Sequence, residues 1–449
     1  MEDKRVKMSM QNSGVRINNF EEVELGFSDE EAFKEANRCL QCNNPRCMKG
    51  CPVGVYIPQF IQAIKENDLK KSYEIIKKSS SLPAICGRVC PQEKQCEKFC
   101  IKGLKGEAIA IGALERYVAD KNTELEIKKI EKNGKRIAII GSGPSGLSAA
   151  HDLASTGFDV TIYEVLNKPG GVLIYGIPEF RLPKKIVEKE IDNLKRLGVK
   201  IITDVPVGNA ITIDDLKKEY DAIFIGTGAG VPKFMEIDGE NANGVFAANE
   251  ILTRINLMEA YKDSANTPIR KAKVAYVIGG GNVAIDAVRS LRRLGIEVHL
   301  MYRRSMDELP ARKMEVSHAL EEGIIFDLLK LPKRILTDED NNVIGMEVVN
   351  MVLGDVDDSG RRSVYEDEKS IHEVKCDMVV MALGTKTNHE ALKNSNIKLT
   401  VEGLIETDGT KTSVDSVYAG GDVVTGSATV ILAMEAGKRA AKEIIELFS

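Results

Sequence analysis

The chain has 449 residues and a formal net charge of −5, with acidic and basic residues interspersed; the length suits two or three domains, and the balance argues against nucleic acid as the main partner. It contains no run of about eighteen apolar residues, so no membrane-spanning helix is expected. Met1-Glu2-Asp3-Lys4-Arg5 lacks the apolar stretch of an export signal, and a reducing, cytoplasmic setting is expected.

Residues 1–125 read as a helical, irregular domain. Ser28-Asp29-Glu30-Glu31 matches a capping box and opens a helix through Ala32-Phe33 and Ala36, which delivers the chain to Cys39. A second helix starts at Ile57-Pro58, with Phe60, Ile61 and Ile64 at helical spacing. Eight of the nine cysteines fall here, as Cys39-x2-Cys42-x4-Cys47-x3-Cys51-Pro52 and Cys86-x3-Cys90-Pro91-x4-Cys96-x3-Cys100. Tight spacing with Cys-Pro endings is a ferredoxin-like pattern and points to two [4Fe–4S] clusters. Zinc fits less well, because paired C-x2-C knuckles or histidines are the usual donors and no histidine precedes His151. Metal binding is then expected to supply much of this region's folding energy. Residues 121–135 are highly charged and read as a linker or surface strand.

A first dinucleotide unit begins at Arg136. Ile137-Ala138-Ile139-Ile140 is a buried-type strand, followed by the loop Gly141-Ser142-Gly143-Pro144-Ser145-Gly146, a helix to about Ser155, and a second strand from Phe158 to Tyr163 that closes on Glu164. Glycines in this pattern admit a pyrophosphate onto a helix N-terminus, and the terminal acid bonds a ribose hydroxyl. The following segment, 170–184, with Gly171, Val172 and Arg181, is expected to line a flavin. The basic pairs Lys184-Lys185 and Lys217-Lys218 read as solvated helix faces.

The same unit recurs. A strand over Lys273 to Ile278 leads into Gly279-Gly280-Gly281-Asn282-Val283-Ala284, then a helix to about Arg293 and a strand from Ile296 to Tyr302 that ends on Arg303-Arg304. An acid accepts from a free 2′-hydroxyl, whereas arginine pairs with a 2′-phosphate, so the first unit is assigned to FAD and the second to NADP(H). Cys376 heads an apolar strand and reads as core. Near the C-terminus, Tyr418-Ala419-Gly420-Gly421-Asp422 follows a strand and Thr429-Val430 begins an apolar-faced helix whose positive end suits a reduced flavin. Gly421, Asp422, Thr429 and Val430 are therefore expected at the flavin, and Gly228 and Gly384 complete the cofactor-binding set. No nucleophile–base constellation is evident, and hydride transfer needs none.

The order of FAD unit, inserted NADP(H) unit and terminal Gly-Asp resembles the two-dinucleotide-domain flavoproteins. With the cysteines, and with Arg38-Cys39-Leu40-Gln41-Cys42, Cys86-Gly87-Arg88-Val89-Cys90-Pro91 and Gly170-Gly171-Val172-Leu173-Ile174-Tyr175-Gly176-Ile177-Pro178, it resembles the glutamate synthase small-subunit family. Within that family, Pro178-Glu179-Phe180-Arg181-Leu182-Pro183 and the lead-in around Asn18-Asn19-Phe20 look most like the large subunit of NADH-dependent ferredoxin:NADP+ oxidoreductase.

The resemblance implies an α/β chain: an iron–sulfur domain (1–125), an FAD domain (126–245), an NADP(H) domain (246–388) and an FAD return segment (389–449). It implies one cluster on Cys39, Cys42, Cys47 and Cys100, and another on Cys51, Cys90, Cys96 and Glu115, with Cys86 as the rival to Glu115. Further implications are electron relay between NADPH, FAD and the clusters, a second subunit, and ferredoxin as an electron partner. That second subunit would be a small flavin/[2Fe–2S] chain or, in the alternative reading as the NADPH-oxidising arm of glutamate synthase, a large glutamine-dependent one.

Overall fold

The computed structural model describes residues 4–122, 130–356 and 360–449. Residues 123–129 of the linker expected at 121–135 therefore lie outside the described residues.

The N-terminal domain is a helical cage. Its helix Asp29–Asn37 starts with the capping box read from sequence: the Ser28 side chain accepts from the Glu31 amide and the Glu31 side chain accepts from the Ser28 amide. Helices Ile57–Lys65, Leu69–Lys77 and Ile111–Lys121 turn Phe60, Ile61, Ile76, Leu114 and Val118 inward to a small core of their own. Helix Pro83–Val89 behaves differently. Leu82, Ile85, Cys86, Val89 and Cys90 belong to the apolar core of the next domain, so the two domains share one packed interior.

The two dinucleotide units each carry a five-stranded parallel sheet. In the first, the order is 417–419, 222–225, 136–140, 159–163, 200–202; in the second it is 325–328, 297–302, 274–278, 378–381, 245–247. The strand Val417–Ala419 comes from the far end of the chain. It pairs with Ala222–Ile225, and the helix Val430–Leu447 packs on Pro144–Ser155 so closely that a Cβ on Gly437 would stand 2.1 Å from the Ser145 carbonyl oxygen. The return segment thus adds a strand and a helix to the first unit. The chain crosses between units along two antiparallel strands, Val231–Pro232 and Thr385–Lys386. Strand Val245–Ala247 already belongs to the second sheet, so the expected boundary at 245/246 falls inside it.

A three-stranded antiparallel sheet, Lys330–Thr337, Val343–Val356 and Arg362–Lys375, is inserted in the second unit and has no counterpart in the first. Cys376 lies against the second unit's core, 5% exposed, with burial pushing its thiol up to about 12. It is a packing residue, as its apolar strand implies.

Candidate functional site

In the first unit, the strand Arg136–Ile140 ends at Gly141, whose φ is +99° and where an added Cβ would stand 2.6 Å from the Gly226 carbonyl oxygen, leaving no room for a side chain. Helix Pro144–Ser155 follows with Gly143 as its cap and no side chain satisfying its first amides. Open space faces Gly143, and a Cβ on Gly171 would meet the Gly143 Cα at 2.8 Å, so segment 170–184 lies against the loop. An uncapped helix end beside open glycines fits a pyrophosphate. Glu164 is buried, and its Oε2 accepts from the Ser142 amide at 2.9 Å and from the Ser142 hydroxyl, while its Oε1 accepts from the Leu166 amide. Ser142 Oγ also takes the Gly170 amide at 2.8 Å, so one hydroxyl links fingerprint, acid and flavin-side segment.

Two hydroxyls here are buried without a partner: Oγ1 of Thr227, next to the open Gly228, and Oγ1 of Thr429, at the uncapped start of Val430–Leu447. Burial pushes the Asp422 carboxyl up to about 6 against the hydrogen bond it accepts from the Ala428 amide. Unsatisfied buried donors, a carboxyl and a helix N-terminus form a donor set that suits the ribityl and isoalloxazine parts of FAD. Thr227 has a sequence signal: in each unit a strand that pairs with the fingerprint strand, Ala222–Ile225 or Met378–Met381, is soon followed by Gly-Thr, as Gly226-Thr227 and Gly384-Thr385.

Arg181 departs from expectation. Its guanidinium donates to both oxygens of Asp286 at 2.6 and 2.7 Å and pairs with Glu315 at 3.1 Å, both in the second unit. It is an interdomain clasp and does not project freely at a flavin. Lys184 also departs. In place of a solvated face, its ammonium donates to the carbonyls of Leu173, Ile177 and Leu182, and burial lowers it to about 8. It cages segment 170–184 from within, whereas Lys217 and Lys218 are exposed as expected.

In the second unit, Gly279 has φ +140° and Gly281 caps an otherwise uncapped helix, Asn282–Arg293, with open space around Gly281 and with Asn282 and Val283 exposed. Gly384 has φ +89° and also faces open space. At the selectivity position the two arginines part. Arg303 is exposed at the end of strand Glu297–Tyr302. Arg304 is 6% exposed and donates its Nε to the Arg362 carbonyl at 2.7 Å, because the inserted sheet covers it. Of the two, Arg303 alone is open to a ligand at this strand end.

The cysteines sort into two sets. Cys39, Cys42, Cys47 and Cys100 line one cavity with Leu40, Arg46, Phe99 and Ile101. Burial, then the neighbouring Cys100 and Cys39 thiols, push Cys47 up to about 11. The second set is deeper. Cys51, Cys90 and Cys96 all feel the Glu115 carboxylate, and burial pushes Cys51 up to about 11 and Glu115 up to about 8. Oε1 of Glu115 is sealed from solvent with no hydrogen-bond partner. An orphaned buried carboxylate facing three thiols suits a metal-bound oxygen donor. Cys86 is close to Cys90, but its Sγ lies 3.4 Å from Met434 Sδ and accepts from Ser80 Oγ at 3.8 Å. Among the described residues no three His, Cys, Asp or Glu side chains converge as a single metal ion requires.

Residues 16–127 match the family described as dihydropyrimidine dehydrogenase domain II, 4Fe-4S cluster, and residues 135–437 match pyridine nucleotide-disulphide oxidoreductase. The chain is 33% identical to the glutamate synthase [NADPH] small chain of Escherichia coli, over 96% of this chain and 94% of that one. It is 39% identical to the NADP(+)-dependent formate dehydrogenase subunit beta of Moorella thermoacetica, over 89% of this chain but spanning 59% of that protein's length. Among solved structures, FprA of Mycobacterium tuberculosis shares the fold of 70% of this chain at a TM-score of 0.60 and 20% identity, covering 84% of that chain. No helix among the described residues is long and apolar enough to cross a membrane. The chain belongs to the FAD- and 4Fe–4S-containing family of NADPH-dependent oxidoreductase subunits that includes the glutamate synthase small chain.

Proposed function

We propose that this chain relays electrons between NADPH and a one-electron partner through FAD and two [4Fe–4S] clusters, as the large subunit of an electron-bifurcating NADH-dependent ferredoxin:NADP+ oxidoreductase. The observation that carries the two-cluster relay is the orphaned Glu115 carboxylate facing Cys51, Cys90 and Cys96, set apart from the Cys39, Cys42, Cys47 and Cys100 cavity. When bound, nicotinamide and flavin supply the two-electron chemistry and the clusters the one-electron chemistry.

The chain's own residues bind and orient. Gly141, Gly143, Pro144, Ser145, Gly146 and Glu164 would hold the FAD pyrophosphate and ribose. Gly171, Val172, Gly228, Gly421, Asp422, Thr429 and Val430 would surround its remaining parts. Gly279, Gly281, Asn282, Val283, Gly384 and Arg303 would hold NADP(H). Arg181 and Lys184 keep segment 170–184 in place, and Asn256 helps by donating to the Tyr175 and Gly176 carbonyls. Met434, on the helix that begins at Val430, touches Cys86, which neighbours Cys90, so the second set would be the nearer of the two to a flavin held at Thr429 and Val430.

A second reading has an observation of its own. The end-to-end match to glutamate synthase small chains favours service as the NADPH-oxidising arm of that enzyme. Anaerobic purification from the native host separates the two: a small flavin/[2Fe–2S] partner supports the ferredoxin reading, and a large glutamine-dependent partner replaces it with the other. For the ligands, Glu115→Ala should abolish the second cluster's EPR signal and leave the first, while Cys86→Ala should keep both. The reverse pattern would hand the fourth position to Cys86.

A further inference from the structure

Segment 309–312 of the second unit touches two sites at once. On one side it supports the nucleotide loop. The Ala311 amide donates to the Gly280 carbonyl at 3.3 Å, and the Arg312 amide donates to Asn282 Oδ1 at 2.9 Å. Asn282 is the first residue of the uncapped helix of the fingerprint.

On the other side, the same arginine enters the iron–sulfur domain. Its Nη1 donates to the Arg88 carbonyl at 3.0 Å and its Nη2 to Gln92 Oε1 at 2.9 Å, with Glu93 at 3.7 Å from Nε. Lys94 returns the contact by donating to the Pro310 carbonyl at 2.8 Å. Arg88 and Gln92 bracket Cys90. Gln92 Nε2 donates to the Cys86 and Gly87 carbonyls at 3.3 and 3.2 Å, and the Gln92 amide donates to the Cys90 carbonyl. Gln92 also packs on Gly112, where an added Cβ would stand 2.3 Å from its Nε2, one turn before Glu115 on the same helix. Arg312 and Gln92 are 3% and 7% exposed, so these bonds work in a water-poor setting where loss of one partner is costly.

We propose that Arg312 is a positioning residue that couples the nucleotide loop of the second unit to the segment bearing Cys90 and Glu115, so that nucleotide binding and the redox state of the second cluster influence each other. This rests on the ligand reading given above. The 5′-phosphate of a bound nucleotide fixes the Gly279–Asn282 turn and with it the Arg312 backbone; the guanidinium carries that constraint to Gln92, which contacts both the Cys90 turn and the Glu115 helix. By linkage, whatever the nucleotide does to the cluster's reduction, the cluster's reduction does to nucleotide affinity.

The test uses the anaerobic holoprotein and 2′,5′-ADP, which occupies the adenosine end and carries no nicotinamide, so it transfers no electrons. EPR-monitored redox titration reads the midpoint of each cluster with and without it. In the wild type the second cluster's midpoint should shift by the equivalent of about fivefold or more in nucleotide affinity, with the first cluster unmoved. Arg312→Ala should abolish the shift while retaining both clusters and FAD. Arg312→Lys should restore part of it, since an ammonium still reaches one of the two acceptors. Gln92→Leu, which keeps the packing on Gly112, should also lose the shift and serves if Arg312→Ala does not fold. A wild-type midpoint that ignores 2′,5′-ADP, or a shift that survives both Arg312→Ala and Gln92→Leu, overturns the proposal and leaves the ligand reading standing. A wild type without a second cluster overturns both.

Discussion

The two dinucleotide units share a fold and differ in how each meets the iron–sulfur domain. The first is joined by apolar packing: Leu82, Ile85, Cys86 and Val89 sit in the same core as Leu147, Leu153, Phe224 and Met434. The second is joined by charge. Arg16, near the N-terminus, is 1% exposed and bonds Glu322 at 2.8 Å and Glu321 at 2.9 Å. Arg289 and Arg293 also converge on Glu322, Arg181 and Arg289 share Glu315, and Asp286 takes Arg181. Four arginines thus meet four carboxylates, and Phe180 lies under the Arg289 and Arg293 guanidiniums at 4.7 and 3.9 Å. An apolar seam has no ion pair to lose to protonation. A buried ionic one depends on every partner being present and in the right protonation state.

The largest expected break in that contrast comes from Glu322. Burial raises its carboxyl, but hydrogen bonds from Arg289 and Arg293 outweigh this and hold it at about 2. Glu322→Ala would strand three buried guanidiniums, and removing one partner of such a set typically costs about 3–5 kcal/mol. Thermal unfolding should show the second unit losing its junction first, with proteolysis between the units. Ile85→Val, at the apolar seam, should cost only about 0.5–1.5 kcal/mol. Comparable losses from both would deny that the two seams differ.

Acid gives the next break. Burial lowers the His318 imidazole to about 4; Glu315 opposes this, while Arg289 and Arg16 add to it. Between the ordinary 6.5 and about 4, the unfolded chain binds this proton and the folded chain does not. Stability is therefore fully present above 6.5 and is lost as pH falls toward 4, by up to about 3 kcal/mol. Asp286, raised by burial to about 6 against Arg181, works in the opposite direction in part of this window, so the wild-type curve alone does not isolate the histidine. The difference between wild type and His318→Gln does. That difference should drift in favour of the variant from pH 6.5 to 4 and stay flat above 7; no drift would mean that His318 titrates in the folded chain as it does in the unfolded one.

What sequence reveals here divides along the same line. Both fingerprints, their strands and helices, the Ser28 capping box and the returning C-terminal helix were legible because each is a local pattern of period, glycine and cap. The cysteines announce themselves by spacing. The ionic seam was not legible: Arg16 and Glu322 lie 306 residues apart, and Arg312 and Gln92 lie 220 apart. No local pattern marks a charge as buried, and nothing beside Arg181 or Lys184 in sequence signals the Asp286 pair of the one or the carbonyl cage of the other. The inserted sheet escaped notice for a related reason. Its last strand, Arg362–Lys375, is mostly exposed and charged, and so lacks the apolar alternation that flags a strand.

That inserted sheet also sets the smallest predicted difference, between neighbouring arginines. Arg303 and Arg304 look interchangeable in sequence, yet only Arg303 projects into solvent at the strand end where a 2′-phosphate would lie. A charge-assisted hydrogen bond contributes about 1.5–3 kcal/mol, so Arg303→Ala should raise the KM for NADPH roughly 10- to 100-fold and leave that for NADH nearly unchanged. Arg304→Ala removes a bond to the Arg362 carbonyl and should destabilise the inserted sheet while changing the NADPH KM by about twofold at most. Steady-state kinetics with both nucleotides, beside a melting curve for each variant, checks the assignment. If Arg304→Ala matched Arg303→Ala in KM, the sheet would have to move aside when nucleotide binds, and the second unit's nucleotide end would be less preformed than the first unit's Ser142–Glu164 clasp.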